Sequence, residues 1–268
     1  MTNPTNEVAP WIERLARVGY AAKSLLYVTI GYLASQAALG PGGKVTDTRG
    51  ALREVHDVSY GRLLLIVVGL GLLGYGLWRV VEAVVDPERR GTGWKALVVR
   101  AGFLGRGLFH GLLALTAFRF ALHERTGTGG DQAREWTARA FDLPGGELLV
   151  IIAAAYVAGY GVYQFYRAWS PKLERHLQLG DLPQEIRQWV LRVSRFGIAA
   201  RGIIFCLIGF FLTRAVLRHD AAEAGGLRES LRALANLGRW PFIAVALGLV
   251  AYGVYELLNA RYRRISIA

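Results

Sequence analysis

The chain has 268 residues, of which 53% are hydrophobic, and its 32 Lys and Arg residues outnumber 20 Asp and Glu residues. This composition is too apolar for a typical soluble domain. The basic residues lie mostly between long apolar runs, which argues against a nucleic-acid-binding protein. A single cysteine, Cys206, excludes an internal disulfide and a cysteine-based metal cage.

Six apolar stretches are long enough to cross a bilayer, since a spanning helix needs about 20 mostly apolar residues. In chain order they cover about 18–39, 63–85, 101–122, 148–169, 196–217 and 240–259. None of them shows the sustained alternation of a barrel strand. The sequence therefore predicts an all-α, polytopic membrane protein with six transmembrane helices. A soluble helical bundle is the alternative, but the polar faces that its helices would need are missing.

The six stretches form three pairs with an internal repeat. The first stretch of each pair carries an arginine, a glycine two residues later and a base four residues after the glycine: Arg17–Gly19–Lys23, Arg100–Gly102–Arg106 and Arg195–Gly197–Arg201. The second stretch carries a small residue, a tyrosine and a glycine, at 74–76, 159–161 and 251–253. This recurrence predicts repeats 14–90, 97–176 and 192–264 within one membrane domain, 1–268. Because all three hairpins start on the same side, we expect a pseudo-threefold arrangement about an axis along the membrane normal.

This pattern resembles a bacterial three-repeat membrane family known only as domain of unknown function 1206. The resemblance rests on the Arg17, Gly19, Tyr20 and Lys23 set and on residues 74–79, with the two copies of each, and covers nearly the whole chain. It implies six spans in three pairs and a membrane location. It implies no activity, so no catalytic residue follows from it.

The loops and flanks make further predictions. Residues 50–56, 131–141 and 226–237 are short amphipathic segments, expected either to lie on the membrane surface or cap the bundle, or to form ordinary solvated helices. Lys and Arg are almost evenly divided between the two sides, so the positive-inside rule is weak here. The tail Arg261-Tyr262-Arg263-Arg264 favours both termini in the cytoplasm, with the protein in the inner membrane. Tyrosines and tryptophans near the ends of the second helices, at the outermost positions, are interpreted as interfacial anchors.

The bases within the spans are the candidate functional residues. Lys23, Arg106 and Arg201 lie about 9 Å deeper than Arg17, Arg100 and Arg195, at 1.5 Å per helical residue. All six could snorkel to anionic head groups. Alternatively, the three deeper bases converge on the axis and bind an anion, or they pair with internal acids. The possible intramembrane partners, at matching positions of the repeats or near them, are Arg79, Glu82, His110, Gln164, Arg167 and Glu256.

Two functions follow from these residues. The first is a non-enzymatic membrane protein with a structural or anionic-lipid-binding role, whose partners are membrane lipids. The second is a small transporter or channel for an anion along the repeat axis. Such a transporter would need a water-accessible cavity near mid-membrane. The sequence has no P-loop, nucleophile elbow or paired-carboxylate arrangement, so neither an enzyme nor a cofactor or metal is predicted.

Overall fold

The computed structural model describes residues 10–40, 45–86, 91–122, 132–171, 173–174, 177, 179–180 and 182–262. Arg263 and Arg264 of the predicted cytoplasmic tail lie outside this part of the chain. So do Asp131 and the predicted repeat ends at 90, 176 and 264.

Long helices connected by shorter ones make up the described chain, and the all-α prediction is confirmed. The long helices are α1 (Pro10–Leu39), α3 (Gly61–Val85), α4 (Trp94–Ala121), α6 (Gly146–Trp169), α7 (Gln184–Leu217) and α9 (Arg239–Tyr262). The short ones are α2 (Thr48–His56), α5 (Gln132–Phe141) and α8 (Leu227–Leu237). The short helices coincide with the three amphipathic segments predicted in the loops.

Local sequence explains several helix ends. The Asp47 carboxylate accepts a hydrogen bond from the Gly50 amide at 2.8 Å and so caps the start of α2. Helix α7 begins directly after Pro183, with Glu185 in its first turn. The predicted apolar span 196–217 is thus the second part of a longer helix that begins at 184.

Five of the described helices are long and apolar enough to cross a membrane. They are Gly61–Val85, Ala96–Ala121, Gly146–Trp169, Gln184–Leu217 and Arg239–Tyr262. Their outward faces are apolar: on α3, Leu63, Leu70, Leu77 and Val84 are all more than half exposed. Residues seven apart share one face of a helix, and such a face suits the acyl region of a bilayer. Helix α1 has 30 residues but a more polar composition, and it is not one of the five.

Neighbouring repeats pack closely on one another. The second helix of each repeat lies against the first helix of the next: α3 on α4, α6 on α7, and α9 on α1. Small residues permit these approaches, since a Cβ at Gly31 would lie 2.6 Å from the Val250 amide nitrogen and one at Gly107 would lie 2.9 Å from the Gly76 carbonyl oxygen. The chain thus closes from its last helix back to its first.

The hairpins within the repeats differ. Helices α1 and α3 pack together, as do α7 and α9, whereas α4 and α6, both described throughout, make almost no backbone contact with each other.

The short helices lie at the end of the bundle that we call the loop side, and α2 packs on α1, α3 and α4 there. The opposite end, where α1, α4 and α7 begin, is called the termini side.

Candidate functional site

The three deeper bases of the repeat converge. Lys23, Arg106 and Arg201 all line one small cavity of about 30 Å³, together with Tyr75 and Tyr160. That volume has room for about two water molecules. The repeat therefore places its three matching cations around a common centre with little free space.

Lys23 has an internal acid as its partner. Its Nζ lies 2.7 Å from Oε1 of Glu256, and the two side chains are 6% and 2% exposed. The Tyr252 hydroxyl donates to the same carboxylate oxygen, and the ring of Tyr75 lies 4.6 Å from the ammonium group. The lysine of the first repeat is thus neutralised by the second helix of the third repeat.

Arg79 has the other intramembrane acid. It pairs with Glu82 one turn further along α3, and its Nη2 donates to the Tyr20 hydroxyl at 3.2 Å. The ring of Phe103 lies 5.5 Å from its guanidinium carbon. This pair is internal to α3 and leaves no carboxylate for the neighbouring helix.

Arg201 and Arg106 contact only neutral groups. Arg201 donates to the hydroxyls of Tyr27 and Tyr160, at 3.0 and 3.4 Å. The Nε of Arg106 donates to the Gly102 carbonyl in its own helix at 2.9 Å. No carboxylate in the described part of the chain lies within salt-bridge distance of either guanidinium. The terminal nitrogens of Arg106 form no hydrogen bond with any described group.

The remaining predicted partners lie in the second repeat. Arg167 donates to the Tyr255 hydroxyl. His110 is 7% exposed, and its Nδ1 donates to the Arg106 carbonyl at 2.7 Å, which leaves Nε2 as an acceptor. Gln164 is fully buried, and neither atom of its amide has a hydrogen-bond partner among the described residues.

The charges around the centre do not balance. Five cations line the small cavity (Lys23, Arg79, Arg106, Arg167 and Arg201), and the only acids beside them within the described residues are Glu82 and Glu256. A buried charge without a partner is strongly unfavourable, although aromatic rings relieve part of this cost. Arg201 is buried and lies 4.6 and 4.8 Å from the rings of Phe205 and Tyr252, and the half-buried Arg106 lies 4.9 and 5.4 Å from those of Phe103 and Tyr160. An excess of three positive charges remains.

The outer bases have a different environment. Arg17 donates to the carbonyls of Ala260 and Arg261 at 2.7 and 2.8 Å, at the end of α9. Arg100 does the same at the end of α3, to Ala83 and Val84. Cations stabilise the carbonyl end of a helix, so these two arginines hold neighbouring repeats together. The Nε of Arg195, the third member of the set, is buried and has no partner among the described residues.

A second, larger cavity adjoins the centre. It has a volume of about 550 Å³ and shares Arg106, His110, Tyr160 and Arg201 with the small one. From these residues it extends along α4 from Gly102 to Thr116, which is about 21 Å at 1.5 Å per residue. Its walls are mostly apolar, and its far end reaches α2, α5 and α8. The apolar lining residues are Phe109, Leu112, Leu113, Val157, Ile204, Phe205, Ile208 and Leu249.

The cavity lies where α4 and α6 stand apart, and the sequence explains the separation. Gly71 in the first repeat and Gly248 in the third occupy matching positions, and each is packed against the first helix of its own repeat. The second repeat has Tyr156 at this position, and the hydroxyl of Tyr156 lies against Gly102. A tyrosine ring thus stands where the other repeats have direct contact between helices.

Sequence reasoning identified the cations but missed two features of the site. Tyr75, Tyr160 and Tyr252 recur in all three repeats and line the small cavity with the cations, whereas the sequence interpretation gave a role, as interfacial anchors, only to the outermost aromatic residues. The cavity was also missed, although Tyr156 at a glycine position of the repeat was a visible signal. Among the described residues, no three His, Cys, Asp or Glu side chains are grouped so as to hold a metal ion.

These features define an all-helical, multi-pass membrane protein with an internal repeat. The chain belongs to the family described as Domain of Unknown Function (DUF1206), whose profile matches residues 18–86, 101–170 and 196–263. The internal repeat is thereby confirmed, while the outer bounds predicted for each repeat stay predictions. The chain is 30% identical to "Uncharacterized protein YxxB" of Bacillus subtilis (strain 168), over 99% of this chain and 96% of that protein. No solved structure matches the chain.

Proposed function

We propose that this protein is a non-enzymatic protein of the cytoplasmic membrane that binds the anionic head group of a membrane lipid at Arg106 and Arg201. The observation that carries the proposal is that both arginines line one end of a 550 Å³ cavity. Neither has a described carboxylate within salt-bridge distance. A planar guanidinium matches a carboxylate or phosphate through two parallel hydrogen bonds. An anion from outside the chain would supply the charge that the bundle lacks.

The proposal includes six spans in a pseudo-threefold bundle with both termini in the cytoplasm. The sixth span is α1, whose residues 18–39 contain a single charged residue, Lys23. Helix α1 packs between α3 and α9, both apolar enough to cross a membrane. The pseudo-threefold arrangement is supported by the matching contacts of α3 on α4, α6 on α7 and α9 on α1. A fusion reporter that is active on one side of the membrane, placed after Ala268, tests the orientation.

Native mass spectrometry of protein extracted with its own lipids tests the binding. The comparison is between the unchanged chain and Arg106→Gln combined with Arg201→Gln. An anionic lipid adduct is expected on the former and not on the latter. Arg17→Gln is the matched control, because that arginine donates to helix carbonyls and its loss should leave the adduct in place. Equal adducts on all three proteins would refute the proposal.

Transport of an anion is the second candidate function. The favouring observation is that the larger cavity extends from the short helices of the loop side to the cations, whereas the centre itself has room for about two water molecules. A binding site open to one side is the arrangement expected of one state of a transporter. Flux of a labelled anion into proteoliposomes, lost in the Arg106→Gln and Arg201→Gln variant, would favour transport over a binding role.

A further inference from the structure

The larger cavity has the dimensions of one chain of a lipid. Its volume of about 550 Å³ spread over about 21 Å of helix length corresponds to a mean cross-section of about 26 Å². One extended hydrocarbon chain fits such a passage. Pockets of this size are within the range that encloses small ligands.

Charge and polarity are distributed along the passage like the two ends of a single-chain amphiphile. The end near the termini side has Arg106 and Arg201, whose hydrogen bonds are otherwise with neutral groups. The walls beyond are mostly hydrocarbon and aromatic side chains, and polar groups return only at the far end, with Asp47, Arg49 and Glu229. Phe109 and Leu112 line the passage and are 51% and 53% exposed, so their apolar surface is available for contact. This surface matches a hydrocarbon chain in polarity, and close packing against it would be favourable through dispersion.

Space between α4 and α6 continues the passage sideways. A Cβ added at Gly105, which lines the cavity, would meet no atom within 4 Å. The matching positions Ala22 and Ala200 instead pack against Gly71 and Gly248. The second repeat is therefore the one whose hairpin has room for a ligand.

We propose that the ligand is a single-chain amphiphile with an anionic head, either a carboxylate or a phosphate ester. The head binds Arg106 and Arg201, and the acyl chain lies between α4 and α6 along Phe109 and Leu112. This inference rests on the proposed function and narrows its ligand to one acyl chain. A free fatty acid and a lysophospholipid share this chemistry, and a two-chain phospholipid is the ligand against which the test compares them.

The test uses the full chain in phosphatidylcholine nanodiscs with a photoactivatable palmitate that carries a diazirine on its chain. Labelling is expected on the peptides that contain Phe109 and Tyr156. Excess palmitate or lysophosphatidylglycerol should reduce this labelling at least tenfold, while dipalmitoylphosphatidylglycerol and acetate should not. Competition by palmitate alone would assign a carboxylate head, and competition by lysophosphatidylglycerol alone would assign a phosphate ester.

A variant that fills the passage makes the test specific. Gly105→Trp should reduce labelling at least tenfold, because its ring would occupy space that is free in this hairpin. Leu104→Trp is the matched control, since Leu104 is at the same depth, is 41% exposed and does not line the cavity. Gly105→Leu serves as a smaller blocking variant if the tryptophan prevents folding. Labelling that is unchanged in a folded blocking variant would overturn the inference.

The two proposals fail in different ways. A two-chain phospholipid adduct that depends on Arg106 and Arg201, with no palmitate labelling at α4 and α6, would overturn the single-chain ligand and leave the head-group site standing. Palmitate labelling that persists in the Arg106→Gln and Arg201→Gln variant would overturn the role of the arginines.

Discussion

Glu256 is the carboxylate that neutralises Lys23, and Glu256→Gln tests the charge balance of the centre most directly. The two side chains are almost completely buried and the ion pair is 2.7 Å long. Removing one partner of a buried pair costs about 3–5 kcal/mol, because the other charge stays buried without compensation. At about 2–4 °C per kcal/mol for a chain of this size, the midpoint of thermal unfolding should fall by roughly 6–20 °C.

Cys206 provides the assay for this prediction. It is the one cysteine of the chain and is partly buried on α7, so a thiol-reactive fluorophore reports the unfolding of detergent-solubilised protein. The double variant Lys23→Met with Glu256→Leu should regain most of the lost stability, since apolar residues of similar volume often replace a buried pair at little cost. A fall of less than about 1 kcal/mol in Glu256→Gln, the range of an exposed pair, would refute the reasoning.

Three further changes test the packing. Gly31→Ala should destabilise the bundle by about 1–3 kcal/mol, because the added methyl group clashes with the backbone of α9. Gly159→Ala should instead raise stability by up to about 1 kcal/mol, because its methyl group meets open space. Equal thermal unfolding midpoints for the two variants would contradict the close contact between α1 and α9. Arg17→Gln should lower the free energy of unfolding by about 1–3 kcal/mol, because two charged hydrogen bonds to the end of α9 disappear. An unchanged thermal unfolding midpoint would contradict this role of the arginine. Gly105→Ala combined with Tyr156→Gly gives the second repeat the residues of the closed repeats. In a Cys206→Ser background, distances measured by double electron–electron resonance between spin labels at the loop-side ends of α4 and α6 should become shorter. Unchanged distances would refute the inference that Tyr156 holds the two helices apart.

Much of the fold could be predicted from the sequence because the signals were strong and repeated. Spans of 20 or more apolar residues and two motifs in three copies fix the class of protein and the internal repeat. The convergence of Lys23, Arg106 and Arg201 was predictable as one alternative, since equivalent positions in packed repeats face a common centre. Internal ion pairs, with Glu82 and Glu256 taking two of the bases, were also among the alternatives, because acids within the spans are few.

The rest of the site depends on positions at which the three repeats differ. An alignment that looks for what the repeats share gives no weight to such positions. Which base receives an acid is decided by one position of the second helix, where Arg79, Gln164 and Glu256 stand in the three repeats. Whether a hairpin closes is decided by another, at Tyr156 in the second repeat. Both effects are produced by packing between helices, so neither could be weighed before the neighbours of each side chain were known.

Gln164 belongs to the open hairpin of the second repeat and also affects the charge balance of the centre. In the third repeat, Glu256 of α9 reaches the base of the next helix, Lys23 of α1. Gln164 of α6 has the matching position in the second repeat, and its Cβ packs close to Gly202, the residue after Arg201 of α7. The repeat with the open hairpin is therefore also the one whose second helix offers a neutral amide where a carboxylate would complete an ion pair.

Gln164→Glu should consequently supply the missing charge from within. If a bound anion completes the charge balance at Arg201, an internal carboxylate beside that arginine should compete with it, and the lipid adduct seen by native mass spectrometry should fall at least tenfold. Gln164→Leu, of similar volume and without charge, should keep the adduct. A glutamate variant that is folded and still retains the adduct would mean that the anion does not depend on the charge of Arg201, and the head-group site would then have to be sought at Arg106 alone.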